Sequence, residues 1–315
     1  MGMRAPVTSA FTTGATTNVH LEAALELLRL GYWPVPIHPR GAIVGNATKT
    51  GKDPIGRAWG LERWTEEKLR RKYAANPGAG VGVVLGPVRG PGESWLIDVE
   101  GDGERAAGSL TRLLGGEPPM TTSWAPTRGC HWLFRVHGAR LLGALRAAGA
   151  KEERSAPGVW HLPQFPDLEF RVGGFKDDGV TVKQLQSVVP PTAGTDGRPR
   201  AWLGSPEAGV AEWPDAAYEA LAGLGYGHAA LEGEVASVAI QPPGDRHAAL
   251  LQSTNRLASL VKGGTIDEVT ALAKLHEAAR VNGLAAEGRA HEVDELWASA
   301  MGRVDLDPTG VRPIH

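Results

Sequence analysis

Three short segments carry side chains able to do phosphoryl-group chemistry. In WLIDVEGD, Asp98 and Glu100 are two residues apart. On a β-strand that spacing puts both carboxylates on one face, while Ile97 and Val99 turn to the other, toward a core. Carboxylates held side by side repel each other unless a cation lies between them. Hard oxygen ligands of this kind favour magnesium or manganese. In APTRGCHWLF, His131 opens an apolar strand directly after a glycine turn that also carries Arg128. In DLEFRVGG, Leu168, Phe170 and Val172 alternate with Glu169 and Arg171, so one face is apolar and the other holds an acid and a base. Each segment alone has a plain reading: solvated acids at a strand end, a structural histidine, an exposed ion pair. In this order the three can build a two-metal phosphoryl-transfer site, with ions roughly 3.5–4 Å apart clamping the attacking and leaving oxygens. Basic groups alongside would neutralise a triphosphate.

The elements that must position these groups are legible in outline. Asn18 is placed to cap a helix whose Leu21, Ala24, Leu25 and Leu28 form one stripe, ended by Gly31. The prolines of YWPVPIHP allow only an edge or irregular strand. Residues 38–58 read as a loop carrying Lys49, Lys52 and Arg57, and Thr65 caps a second helix. GVGVVL, WLIDVEG, HWLFRV, LEFRV and SVVPP read as strands, with helices expected over 104–115 and 140–153. After Pro206 the strand pattern fades. Residues 210–225 read as helical, 226–245 as a connection punctuated by glycine and proline, and 245–303 as helical throughout. The expected organisation is a tail at 1–18, a mixed domain at 19–206, a linker with a helix at 207–244, a helical domain at 245–303 and a tail at 304–315. The fold class is α+β.

The chain has 315 residues and 42% hydrophobic residues, enough for one sizeable core and a smaller second one. A net charge of −2, from 33 Lys and Arg against 35 Asp and Glu, excludes a globally basic nucleic-acid binder but allows a local basic groove. Cys130 is the only cysteine, which excludes an internal disulfide and a cysteine-rich zinc module. We expect a cytoplasmic protein, with no apolar run long enough to span a membrane. GNATKTGKD fails the Walker spacing, because five residues separate Gly45 from Gly51 and Asp53 follows Lys52. GAGVGVVLG does not fit a dinucleotide loop. DVEGDG begins like a calcium loop but has Ser109 where the bidentate Glu belongs.

Read together, these segments resemble the Prim-Pol family of bifunctional DNA primase/polymerases, in the archaeo-eukaryotic primase superfamily. GYWPVPIHP, Lys52-Asp53-Pro54 with Trp59, GVGVVLGP, LIDVEGDG, TRGCHWLF, LEFRVGG, SVVPPT and DGRPRAWLG occur in the family's order over about 19–206. The helical region 245–303 more loosely resembles the primase C-terminal domain. The resemblance implies an RRM-like catalytic sheet joined to a small α/β lobe. It implies that Asp98 and Glu100 are metal ligands with Glu169 as the third, where Asp is more usual and Asp167 is the fallback. It implies that His131 contacts the triphosphate of the incoming nucleotide, with Arg171 and Lys52 as further phosphate contacts. Arg128 joins them on charge and position. Gly129 stands where relatives carry a small polar residue, and Thr192 where Ser is usual.

The implied activity is template-dependent nucleotidyl transfer from NTPs or dNTPs to a 3′-hydroxyl, using Mg²⁺ or Mn²⁺. The implied partners are a single-stranded DNA template, a primer and a separate helicase. Two other readings use the same residues. One is a metal-dependent nuclease. The other is a non-catalytic replication initiator gripping DNA through Lys68, Arg70, Arg71 and Lys72. Trp59, Trp64, Trp95, Trp124, Trp132 and Trp160 could stack on template bases, although packing roles suit most of them better.

Overall fold

A computed structural model describes residues 18–87, 94–125, 129–176, 179, 181–183, 185–194 and 196–303. In chain order the elements are α1 (Val19–Arg29), β1 (Pro34–Ile37), β2 (Ile43–Val44), β3 (Ala47–Thr48), α2 (Glu66–Ala75), β4 (Gly80–Leu85) and β5 (Ser94–Gly101). They continue with α3 (Ala106–Leu114), β6 (Ser123–Ala125), β7 (Cys130–His137), α4 (Gly138–Ala147), β8 (Lys151–Glu152), β9 (Val159–Leu162) and β10 (Phe165–Arg171). The remainder are β11 (Leu185–Val188), β12 (Ala201–Gly204), β13 (Ala211–Glu212), α5 (Asp215–Ala239), α6 (Arg246–Lys262), α7 (Glu268–Val281) and α8 (His291–Arg303). Asn18 caps α1 by accepting from the His20 and Leu21 amides, and Thr65 caps α2 by accepting from the Lys68 amide.

The strands form two main sheets. The larger runs β12-β6-β7-β5-β10-β9-β8, with β13 added parallel to β7. The smaller runs β1-β4-β11 and is antiparallel. Proline-rich β1 lies at its edge, where missing amide donors cost no ladder bond. One face of the large sheet packs Ile97, Val99, Phe134 and Phe170 against α3, α4 and the first half of α5. Trp124, Leu133 and Val159, from the other face, join the core built around the small sheet, α1 and α2. The central strands are therefore covered on both sides, and their polar residues sit where the two sheets meet.

Several expected boundaries move. The large sheet and its core continue past residue 206, because β13 pairs with β7 and Trp213, Ala217, Tyr218 and Leu221 complete the same cluster. The 38–58 loop contains the small β2–β3 hairpin. Helix α4 stops at Ala147, and Lys151–Glu152 becomes an edge strand. The connection expected over 226–245 is mostly the second half of α5, one helix of 25 residues. Two of its glycines mark close packing rather than chain breaks: a Cβ on Gly227 would lie 2.5 Å from the Thr265 carbonyl oxygen, and one on Gly225 would lie 3.1 Å from that of Ala147. Leu231 and Val238 from this half of α5 share a third core with α6, α7 and α8. Among the described residues, no helix is long and apolar enough to cross a membrane.

Candidate active site

The antiparallel register of the large sheet lines up one cross-strand row. It runs Trp202, Trp124, His131, Glu100, Glu169, His161, Lys151, each residue opposite the next. Directly opposed residues point to the same face. Asp98 lies on that face two residues from Glu100, and Arg171 is its partner on β10. A spacing of two along each strand and correct pairing between strands therefore bring together groups that lie far apart in sequence.

Asp98 is completely buried. Its Oδ2 accepts from His131 Nδ1 at 2.8 Å and from the Ser187 hydroxyl, while Oδ1 has no hydrogen-bond partner among the described residues. His131 is itself buried, stacked on Trp124 with ring centroids 4.6 Å apart, and its Nε2 lies 3.7 Å from Glu100 Oε1. Donor atoms of Asp98, Glu100 and His131 all fall within 4.8 Å of one another. Burial works against a charged imidazole, but the hydrogen-bonded Asp98 carboxylate outweighs it and holds the His131 pKa above the ordinary value. Burial lifts the Glu100 carboxyl, His131 partly offsets this, and Asp98 adds to the rise. An unpartnered buried carboxylate oxygen beside a second, desolvated carboxylate fits a hard divalent cation, which would satisfy both.

Glu169 does not close onto this cluster as the sequence leads one to expect. It stands opposite Glu100 in register, but its Oε1 accepts from Arg171 Nη1 at 2.7 Å. Its donor atom groups instead with those of Glu153 and His161. The reason is Arg171. That guanidinium is held by Ser187 Oγ and the Gln186 carbonyl, at 3.2 and 2.9 Å, and lies 3.5 Å from Glu100 and 4.0 Å from Asp98. It stands among three carboxylates as their internal counter-cation. The fallback Asp167 is directed elsewhere: its carboxylate accepts from Ser109 on α3 at 2.7 Å.

Lys52 is exposed, and its carbonyl accepts from Gln186 Nε2 at 2.8 Å, which ties its loop to β11 beside Ser187. Arg128 lies outside the described residues. Gly129 has φ +80°, and a Cβ there would overlap the Gly101 carbonyl oxygen, so that position admits no side chain. The Thr192 hydroxyl is committed to β4: it accepts from the Val81 amide at 2.7 Å and lies 3.0 Å from the Val81 carbonyl oxygen. Of the expected stacking tryptophans, Trp64, Trp95, Trp124, Trp132 and Trp160 are buried and Trp59 packs on the small-sheet core. On α2, Arg70 and Arg71 pair with Glu66 and Glu67, and Lys68 with Glu62, which neutralises most of that basic run. Cys130 is only half-buried, and burial pushes its thiol up to about 11, far from a reactive thiolate.

Two contributors were missed in the sequence. Ser187, read only as part of a buried strand, bonds Asp98 and Arg171. Arg200 is buried, with its Nε unpartnered among the described residues and Nη1 donating to the Thr192 and Ala193 carbonyls at 3.1 and 2.6 Å. Burial depresses its pKa while Glu100 pulls the other way, which places its charge within reach of the cluster. The only signal was an arginine beside a proline just before a strand, in GRPRAWLG.

No curated protein and no solved structure matches the chain. The family model described as bifunctional DNA primase/polymerase, N-terminal, matches residues 24–216. That span is more than half of the chain and contains Asp98, Glu100, His131, Glu169, Arg171, Ser187 and Arg200. The order of motifs, the acid and imidazole cluster and this match agree, and the chain belongs to the Prim-Pol family.

Proposed function

We propose that this protein is a template-dependent DNA primase/polymerase that transfers nucleotides from NTPs or dNTPs to a 3′-hydroxyl. The observation that carries the reading is the unpartnered, fully buried Asp98 Oδ1 beside Glu100 within a Prim-Pol match. In this reading Asp98 and Glu100 are metal ligands, and Glu169 becomes the third when it leaves Arg171. Mg²⁺ or Mn²⁺ bound there would favour ionisation of the attacking hydroxyl and offset charge on the transferred phosphoryl group. The mixed domain corresponds to the family's RRM-like sheet with a small α/β lobe, and α6–α8 to a primase C-terminal-like unit that holds template or the initiating nucleotide.

The chain's own groups have defined tasks. Ser187 and His131 both hold Asp98 Oδ2, which aims Oδ1 outward from the pair. Asp98 accepts the Nδ1 proton of His131, and the raised pKa favours an imidazolium whose Nε2–H can donate to a phosphate oxygen. Trp124 keeps that ring in plane. Lys52, Arg128 and Arg171 supply further positive charge for the triphosphate. A single-stranded template and a primer end are the macromolecular partners, with strand opening left to a separate helicase.

The test is primer extension and primer synthesis on single-stranded DNA, with each nucleotide class in Mg²⁺ or Mn²⁺. Asp98→Asn with Glu100→Gln should abolish incorporation while leaving the far-UV circular dichroism unchanged. Incorporation at the wild-type rate by that variant would overturn the assignment. Shortening of labelled DNA without nucleotides, and no extension with them, would give the site to a nuclease.

A further inference from the structure

We propose that Arg200 anchors the terminal phosphate of the incoming nucleotide's triphosphate. The inference rests on the nucleotidyl-transfer reading of the same site and adds a binding residue to it. Arg200 is only 8% exposed, yet no carboxylate among the described residues forms an ion pair with it. Arg171, by comparison, stands among Asp98, Glu100 and Glu169. Nη1 of Arg200 donates to the Thr192 and Ala193 carbonyls at 3.1 and 2.6 Å, which fixes the guanidinium without cancelling its charge. Its Nε is buried with no partner among the described residues. A guanidinium keeps its charge, and burying it without a counter-ion is costly. Burial accordingly depresses its pKa, and Glu100 and Asp196 offset this only in part. Such a group calls for an anionic ligand, and its planar fork matches phosphate oxygens.

Its place in the fold selects the phosphate. Arg200 stands two residues before Trp202, a spacing that puts both side chains on one face of an extended chain. Trp202 is opposite Trp124 in register, and Trp124 stacks on His131. The guanidinium therefore shares a face with the imidazole assigned to the triphosphate and with Glu100, which is opposite that imidazole. The small sheet holds it from the other side. The Thr192 carbonyl accepts from the Arg200 amide at 3.3 Å as well as from Nη1, and the Thr192 hydroxyl is bonded to Val81 on β4. Arg200 is thus tied to both sheets before a ligand arrives, and a group ordered in advance costs less to engage. A terminal phosphate, at the free end of a nucleotide, can enter a position this enclosed, whereas a phosphodiester within a strand needs an open groove.

The experiment is calorimetric titration of inorganic tripolyphosphate into the full chain in Mg²⁺, with Arg200→Gln and Arg200→Lys as variants. Gln keeps a donor for the Thr192 and Ala193 carbonyls and removes the charge, whereas Lys keeps the charge and removes the fork. Arg200→Gln should weaken tripolyphosphate binding about 10–100-fold, the range for losing hydrogen bonds to a charged group. Arg200→Lys should weaken it at least about threefold, because an ammonium does not reproduce a two-pronged contact. Affinity for labelled single-stranded DNA without nucleotide should be unchanged in both. Wild-type tripolyphosphate affinity in either folded variant, no tripolyphosphate binding by wild type, or a loss confined to DNA would each overturn the proposal. Should Arg200→Gln fail to fold, Arg200→Lys alone decides. Primer extension run in parallel keeps the two readings apart. Arg200-dependent binding without extension would keep the phosphate site and remove the polymerase reading, and extension with Arg200-independent binding would do the reverse.

Discussion

Glu100 and Glu169 face each other across β5 and β10 in direct register, and one nitrogen, Arg171 Nη1, lies 3.5 Å from the first and 2.7 Å from the second. Two like charges directly opposed on a sheet face destabilise it. Here the guanidinium separates them, and the same position is where a bound cation would be useful. A bound metal and Arg171 are therefore competing ways to neutralise the same carboxylates.

Arg171→Met should destabilise the metal-free protein by up to about 3–5 kcal/mol, the range for removing one partner of a buried charge group. The variant should regain more stability from added Mn²⁺ than wild type does. Urea unfolding with EDTA and with Mn²⁺ measures both effects. Equal metal-induced stabilisation of variant and wild type would show that arginine and metal do not share those acids.

Ser187→Ala removes a hydroxyl that bonds Asp98 but touches no reacting group in the proposed mechanism. Metal affinity should fall by about 10–100-fold, the usual cost of losing an outer-shell hydrogen bond. The melting temperature should change little. Mn²⁺ binding isotherms provide the check, and unchanged affinity counts against a positioning role for Ser187.

The Asp98–His131 pair predicts a pH dependence. Burial opposes the imidazolium, Asp98 more than compensates, and the folded pKa is raised. Stability from this group is fully present below the unfolded value of about 6.5 and is lost as pH rises through the higher folded value. In EDTA, wild type should lose more stability than His131→Gln between pH 6 and pH 9. Parallel denaturation profiles would remove the ion pair from the account.

Gly233 and Gly227 lie on the same helix and should respond oppositely to alanine. Gly233 is exposed with nothing near its missing Cβ, so Gly233→Ala should stabilise by about 0.5–1 kcal/mol. Gly227→Ala places a methyl 2.5 Å from the Thr265 carbonyl oxygen and should cost about 1–3 kcal/mol through overpacking. Thermal melts of the two variants decide this, and a stabilised Gly227→Ala would mean α5 does not run continuously past Thr265.

Gly129→Ser, which restores a small polar residue before the histidine, should impair folding rather than improve phosphate binding. A side chain there meets the Gly101 carbonyl oxygen and a backbone at φ +80°. Soluble yield and circular dichroism test it. A well-folded variant would show that β5 and β7 can separate at that end.

Much of the site was readable in the chain because strands have a period of two. Asp98 and Glu100 had to share a face, as did Glu169 and Arg171, and the alternating Leu168, Phe170 and Val172 said which face was polar. Caps were equally local, which is why Asn18 and Thr65 could be named from their side chains alone. Pairing between strands is not local. Nothing in the sequence near Arg171 says that its partners are Asp98 and Ser187, so its place among the acids, and the diversion of Glu169 toward His161, were decided by sheet register. The same holds for α5, where Gly225 and Gly227 look like chain breaks until Ala147 and Thr265 are packed against them. Periodicity and capping are properties of a few neighbouring residues, whereas register and close helix contact depend on surfaces that exist only after the chain has folded.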